Sequence, residues 1–141
     1  MNQESATIGC HQWSNQRSAR RRRLIYRTIH QMGLERGRLR EEKFNAAAQL
    51  LKEHGLILHH YPASHRADHV DKIDHFVKDL DGCWHYFQIK GTEKAAREFL
   101  DNYCGSRSIT VFVLQGHETV EEVSGYILEA LRGLDSIVVV R

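Results

Sequence analysis

Three side chains in the middle of the sequence have the types and spacing of a hydrolytic site. Gln88 and Lys90 are two residues apart in Trp84-His-Tyr-Phe-Gln-Ile-Lys90, a run with strand character. Period-2 geometry points Trp84, Tyr86, Gln88 and Lys90 to one face of that strand and His85, Phe87 and Ile89 to the other. A lysine ending an apolar strand pays a desolvation penalty unless a carboxylate or a bound anion offsets it. Asp74, in the preceding run Lys72-Ile-Asp-His-Phe-Val-Lys78, is the available carboxylate.

Whether Asp74 reaches Gln88 and Lys90 depends on the parity of the loop around Asp81-Gly82. A two-residue turn pairs Leu80 with Cys83 and Asp74 with Ile89, which turns the carboxylate away. A three-residue loop, Leu80-Asp81-Gly82, pairs Asp79 with Cys83 and Asp74 with Gln88, with Gly82 as the left-handed residue of a bulge. The functional reading requires the odd loop or an equivalent bulge within a strand.

The elements that must position these residues follow from periodicity. Residues 38–54 read as an amphipathic helix with Phe44, Ala47, Ala48 and Leu51 on one face, and Gly55 stands at the C-cap. Leu56 to Tyr61 is a short strand ended by Pro62, and Ala63 to His69 form a polar loop. After the hairpin, Thr92 caps a helix through Asn102. Ser108 to Leu114 is a strand buried on both faces. Thr119 to Leu134 is a helix, and Ile137 to Val140 a last strand. The order helix, three strands, helix, strand, helix, strand predicts an α/β domain with a mixed central sheet flanked by helices.

These residues resemble the PD-(D/E)xK nuclease superfamily over roughly residues 38–140. Ile73-Asp74-His75-Phe76-Val77 looks like its aspartate strand, and Phe87-Gln88-Ile89-Lys90-Gly91-Thr92 like its motif strand. Tyr61-Pro62-Ala63-Ser64 is similar to a loop of archaeal Holliday-junction resolvases. The resemblance implies a restriction-endonuclease-like αβββαβ core and metal-assisted hydrolysis of DNA phosphodiesters to a 5′-phosphate and a 3′-hydroxyl. Mg²⁺ or Mn²⁺ would be held by Asp74, the Gln88 side-chain oxygen, the Ile89 carbonyl and a helix glutamate. Lys90 would position the attacking water. Glutamine stands where most members have a carboxylate, which lowers the site's negative charge by one; active members with glutamine there are known. For the helix glutamate, Glu41 lies at the edge of the apolar face, with Glu42 and Glu35 as alternatives.

The 141 residues suit one domain with one core, 41% hydrophobic and 27% charged. Residues 1–43 hold ten Lys/Arg against four acids, whereas the remainder is net acidic. A basic arm over residues 1–36 joined to a body over 37–141 predicts a polyanionic partner, which the resemblance implies is DNA. Arg17, Arg20, Arg21, Arg22, Arg23 and Arg27 would track phosphates without reading sequence, joined by His65 and Arg66 of the polar loop. Residues 1–16 read as disordered. Residues 17–32 read as a basic helix with Leu24, Ile25, Ile29 and Met32 on one side, interrupted by Gly33 and Gly37.

No apolar run is long enough to span a membrane, and no apolar signal segment opens the chain. Cys10, Cys83 and Cys104 suit reduced thiols, so a cytoplasmic location is expected. His65-x-x-x-His69 with Asp68, Asp71 or His75 offers a zinc alternative without a helix to fix the spacing. His75 or a loop histidine is also a candidate phosphate contact. Trp84 and Tyr86 could stack on a base, but core packing is the expectation. One such site cuts one strand, so a homodimer is expected to cut both. Ser108 to Leu114 and the last helix are the candidate self-association elements.

Overall fold

A computed structural model describes residues 3–64 and 71–141, with side chains described from residue 17 onward. The chain divides into two units, Met1–Glu35 and Arg36–Arg141. Helix α1 runs Gln3–Glu53, with residues in both units.

In the first unit the backbone of residues 3–16 is helical where disorder was expected, and Gly33 and Gly37 do not break the helix. A glycine in a helix interior costs only about 1 kcal/mol against alanine. No neighbouring atom lies within 4 Å of where a Cβ would stand at either position, so nothing there diverts the chain. Leu24, Ile25, Ile29 and Met32 are all exposed, as are Arg20 to Arg23 and Arg27.

The second unit is a mixed α/β structure. The end of α1 leads to β1 (His59–Pro62), β2 (His75–Lys78), β3 (Trp84–Lys90), α2 (Glu93–Asn102), β4 (Ile109–Val113), α3 (Val120–Arg132) and β5 (Ile137–Val139). The sheet order is β1-β2-β3-β4-β5. The first three strands are antiparallel neighbours, and β4 and β5 run parallel to β3. β4 therefore lies between two strands and offers no free edge, which removes Ser108 to Leu114 as a self-association element.

Caps set the helix ends. Gly55, at φ +70°, ends α1 with Leu56 N–H bonding the Leu51 carbonyl at 2.9 Å and Gly55 N–H the Lys52 carbonyl at 3.0 Å. Thr92 accepts from Ala95 N–H at 3.1 Å, and Thr119 and Glu122 close a capping box. One face of the sheet carries Phe87, Ile89 and Phe112 against Phe44, Ala47, Ala48 and Leu51 of α1 and Val123 and Ile127 of α3. The Phe44 ring lies 4.9–5.2 Å from the rings of His75, Phe87 and Phe112. The other face carries Val111 and Val113 against Ala96 of α2. Among the described residues, no helix is long and apolar enough to cross a membrane.

The β2–β3 hairpin adopts the odd loop. His75 pairs with Phe87 and Val77 with His85, and Asp79 N–H bonds the Cys83 carbonyl at 2.9 Å. Gly82 sits at φ +86°, and Asp79 Oδ1 accepts from the amides of Asp81 and Cys83, each at 2.9 Å. The other oxygen, Oδ2, lies 2.8 Å from His85 Nε2. That hydrogen bond holds the Asp79 carboxyl below its ordinary pKa. β1 and β2 begin later than the runs read from the sequence, at His59 and at His75, whereas β3 keeps its whole run from Trp84 to Lys90. Gly82→Val should cost roughly 1–2 kcal/mol, since a β-branched residue is forced into the left-handed region. Urea unfolding should read this as a lower midpoint at unchanged slope.

Candidate functional site

The β3 register sorts its side chains cleanly. Phe87 and Ile89 enter the aromatic core beneath α1, so Tyr86, Gln88 and Lys90 occupy the face that α2 partly covers. Gln88 lies beside Val111 of β4 and is only 8% exposed. Lys90 lies beside Val113, with Nζ 5.3 Å from the centre of the Phe99 ring on α2, a cation–π contact that offsets part of its desolvation. Gln88 and Lys90 line a cleft of about 940 Å³ with Asp71, Lys72, Glu98 and Arg107.

Continuing the β2–β3 pairing by one step sets Asp74 opposite Gln88, on the same face as Lys90. The main-chain ladder ends there. Asp74 N–H donates to the Phe87 carbonyl at 2.8 Å, and the Ile89 amide donates to Asp74 Oδ2 at 2.7 Å. A carboxylate thus takes the amide that lies between Gln88 and Lys90 in the chain. Asp74 does not itself line the cleft.

Gln88 Oε1 is buried and has no hydrogen-bond partner among the described residues. A buried acceptor left unpaired costs about 1–3 kcal/mol, and native structures hold few of them. A donor or cation arriving at Gln88 would relieve that penalty. The oxygens of Asp74, of Gln88 and of the Ile89 carbonyl are hard donors of the kind Mg²⁺ takes. No group of three or more His, Cys, Asp or Glu is assembled for a metal among the described residues.

The helix contributes differently from the expected glutamate. Glu41 is exposed, and Glu42 is bound to Arg38 one turn back. The residue that abuts the end of β3 is Arg40, whose guanidinium would lie 2.5 Å from a Cβ at Gly91. A helical wheel does not separate residues 40 and 41, which flank the Phe44 stripe. Arg107 was also not singled out from the sequence. It follows a Gly-Ser loop with no periodic signal, and it reaches the site face through Tyr86, with Cζ 4.9 Å from the ring centre.

His65, Arg66, Asp68 and His69 lie outside the described residues. Asp71 and Lys72 border the cleft, and Lys72 adopts φ +57°. His75 corrects an expectation, because it is 2% exposed and cannot meet a phosphate or contribute to an exposed zinc site. Its Nε2 lies 3.0 Å from His60 Nδ1, and His60 Nε2 lies 2.8 Å from Gln49 Oε1. The Gln49 oxygen only accepts, so His60 Nε2 carries a proton, His60 Nδ1 accepts, and His75 Nε2 donates. The chain joins α1, β1 and β2 with both rings neutral. Trp84 and Tyr86 belong to neither core cluster, against the expectation of core packing.

No family model, known protein or solved structure matches the chain.

Burial, and then the neighbouring His60, push the His75 pKa down to about 3. Between that value and the ordinary one near 6.5, the unfolded chain takes a proton that the folded chain refuses. Stability is therefore full above about pH 6.5 and is lost as pH falls toward 3. Urea midpoints should fall between about pH 7 and pH 5, and His75→Phe should flatten that dependence.

Proposed function

We propose that residues 36–141 form a restriction-endonuclease-like nuclease domain that hydrolyses DNA phosphodiesters with Mg²⁺ or Mn²⁺. The observation that supports it best is the buried Gln88 Oε1, unpartnered among the described residues, with Asp74 held by the Ile89 amide just before β2 and Lys90 two residues along β3. Asp74, Gln88 Oε1 and the Ile89 carbonyl would hold the ion, and Glu41 is the helix carboxylate to test beside them. When bound, the ion polarises a phosphate oxygen and acidifies a coordinated water.

The chain's own residues carry the rest. The Ile89 amide holds Asp74 in a fixed orientation. Lys90 donates hydrogen bonds to the attacking water or to the phosphoryl oxygens as negative charge develops. Its aliphatic stem and Phe99 exclude bulk solvent on one side. The bond broken is between phosphorus and the 3′ oxygen, which leaves as a hydroxyl. Arg17, Arg20 to Arg23 and Arg27 supply phosphate contacts whose strength falls with salt.

A second reading, a nucleic-acid-binding domain without catalysis, is favoured by the donor set itself: one carboxylate and one amide on the two site strands. Plasmid and branched DNA incubated with Mg²⁺ or Mn²⁺ separate the two. Cleavage by the wild type, lost in Asp74→Ala and reduced about 100-fold or more in Lys90→Ala, supports the nuclease. Gln88→Glu should then lower the Mg²⁺ concentration needed for half-maximal rate, because a carboxylate binds the ion more tightly than an amide. Binding of DNA at wild-type strength by Asp74→Ala, with no cleavage by any form, overturns the nuclease in favour of the binding domain.

A further inference from the structure

The face that carries Gln88 and Lys90 continues past the candidate site as an aromatic surface. α2 packs over β4, β5 and β3. Tyr61 is 52% exposed and Trp84 40% exposed, with ring centres 5.8 Å apart. Phe76 and Tyr86 meet edge to face at 5.6 Å beside them. Two cations border the rings: Lys78 Nζ is 5.6 Å from the Trp84 ring centre, and Arg107 Cζ is 4.9 Å from that of Tyr86. The shallow groove lined by the four rings encloses about 400 Å³, and Arg107 is the charged residue among the described residues that line it.

We infer that this surface is a stacking platform for unpaired nucleotide bases, aligned with the candidate cleavage site. The inference rests on the nucleic-acid part of the reading above and deepens it: the substrate has a single-stranded stretch next to the cut. A flat, exposed aromatic ring gains most from a base whose π-face is free, and paired bases bury those faces in the helical stack. Lys78 and Arg107 supply the positive charge that a phosphate backbone needs beside stacked bases. A protein partner fits less well at the Trp84 end, because lysine is depleted from protein interfaces, whereas Lys78 sits on the Trp84 ring itself. The order Trp84, Tyr86, Gln88, Lys90 along one strand gives the direction. Gln88 lies four steps along the strand from Trp84, about 13 Å and a reach of about four nucleotides at ~3.4 Å each. Bases on the platform therefore belong to the same strand segment as the phosphate at Gln88 and Lys90.

The test is binding in EDTA, which removes cleavage from the readout. A labelled single strand of about twelve nucleotides and a blunt duplex of the same sequence are titrated with the full chain by fluorescence anisotropy. Trp84→Ala should weaken single-strand binding by about 5- to 100-fold, with duplex binding changed less than twofold and Trp84→Phe retaining most of the affinity. Tyr61→Ala, at an exposed edge position, is the second variant should Trp84→Ala fail to fold. Equal affinity of wild type and both alanine variants for the single strand overturns the platform. So does an equal loss on single strand and duplex, or no nucleic-acid binding at all. The nuclease reading fails separately. Absence of cleavage with Mg²⁺, alongside a Trp84-dependent preference for single strands, removes catalysis and leaves the platform standing.

Discussion

The site depends on the parity of one hairpin loop. Side chains alternate across a strand, so a shift of a single residue between β2 and β3 would send Asp74 to the opposite face from Gln88 and Lys90. Two local devices fix the choice. Gly82 accepts the left-handed conformation that the odd loop needs. Asp79 uses one carboxylate oxygen for two amides of the loop and the other for His85. The loop is thereby specified by hydrogen bonds within seven residues of sequence, before any packing across the sheet contributes.

The two faces of β3 then meet opposite requirements. On the α1 face, Phe87 and Ile89 are buried against apolar partners, and the polar His75 has a partner in His60. On the other face, Gln88 is buried with its oxygen unpaired among the described residues, and Lys90 leans on Phe99. A fold that satisfies a histidine by building a chain to Gln49, yet leaves an amide oxygen orphaned one residue along the same hairpin, concentrates its unsatisfied polarity in one spot. Such concentration is expected where a ligand completes the bonding.

Much of this was readable before the coordinates, and the residues say why. The element order follows from Phe44, Ala47, Ala48 and Leu51 at helical spacing and from the alternation in β3, both strong periodic signals. Loop parity reduces to two options that the sequence leaves open, because Gly82 serves a two-residue turn as well as the odd loop. What escaped depended on tertiary geometry. Arg40 and Glu41 are adjacent on a helix, and only the docking angle of α1 decides which meets Gly91. Trp84 and Tyr86 are as hydrophobic as core residues, and their exposure follows from where α2 lies on the sheet, which the sequence around Thr92 does not encode. Gly33 and Gly37 suggest an interruption of the basic helix by propensity alone; a helix tolerates each at a modest cost.

The charge balance limits what this site can be. One carboxylate and one amide from β2 and β3 stand at a cleft whose described lining holds three cations, Lys72, Lys90 and Arg107, against the two carboxylates of Asp71 and Glu98. Such a set is a poor cage for Zn²⁺, which requires nitrogen or sulfur ligands at fixed geometry, and for Ca²⁺, which requires six or more oxygens. It suits Mg²⁺ better, since that ion commonly keeps its waters and binds one or two carboxylates together with the phosphate of a substrate. The same cations that weaken the pocket for a lone metal ion strengthen it for a phosphate. A phosphodiester brings the anionic oxygens that the chain lacks, so ion and nucleic acid would each raise the other's affinity.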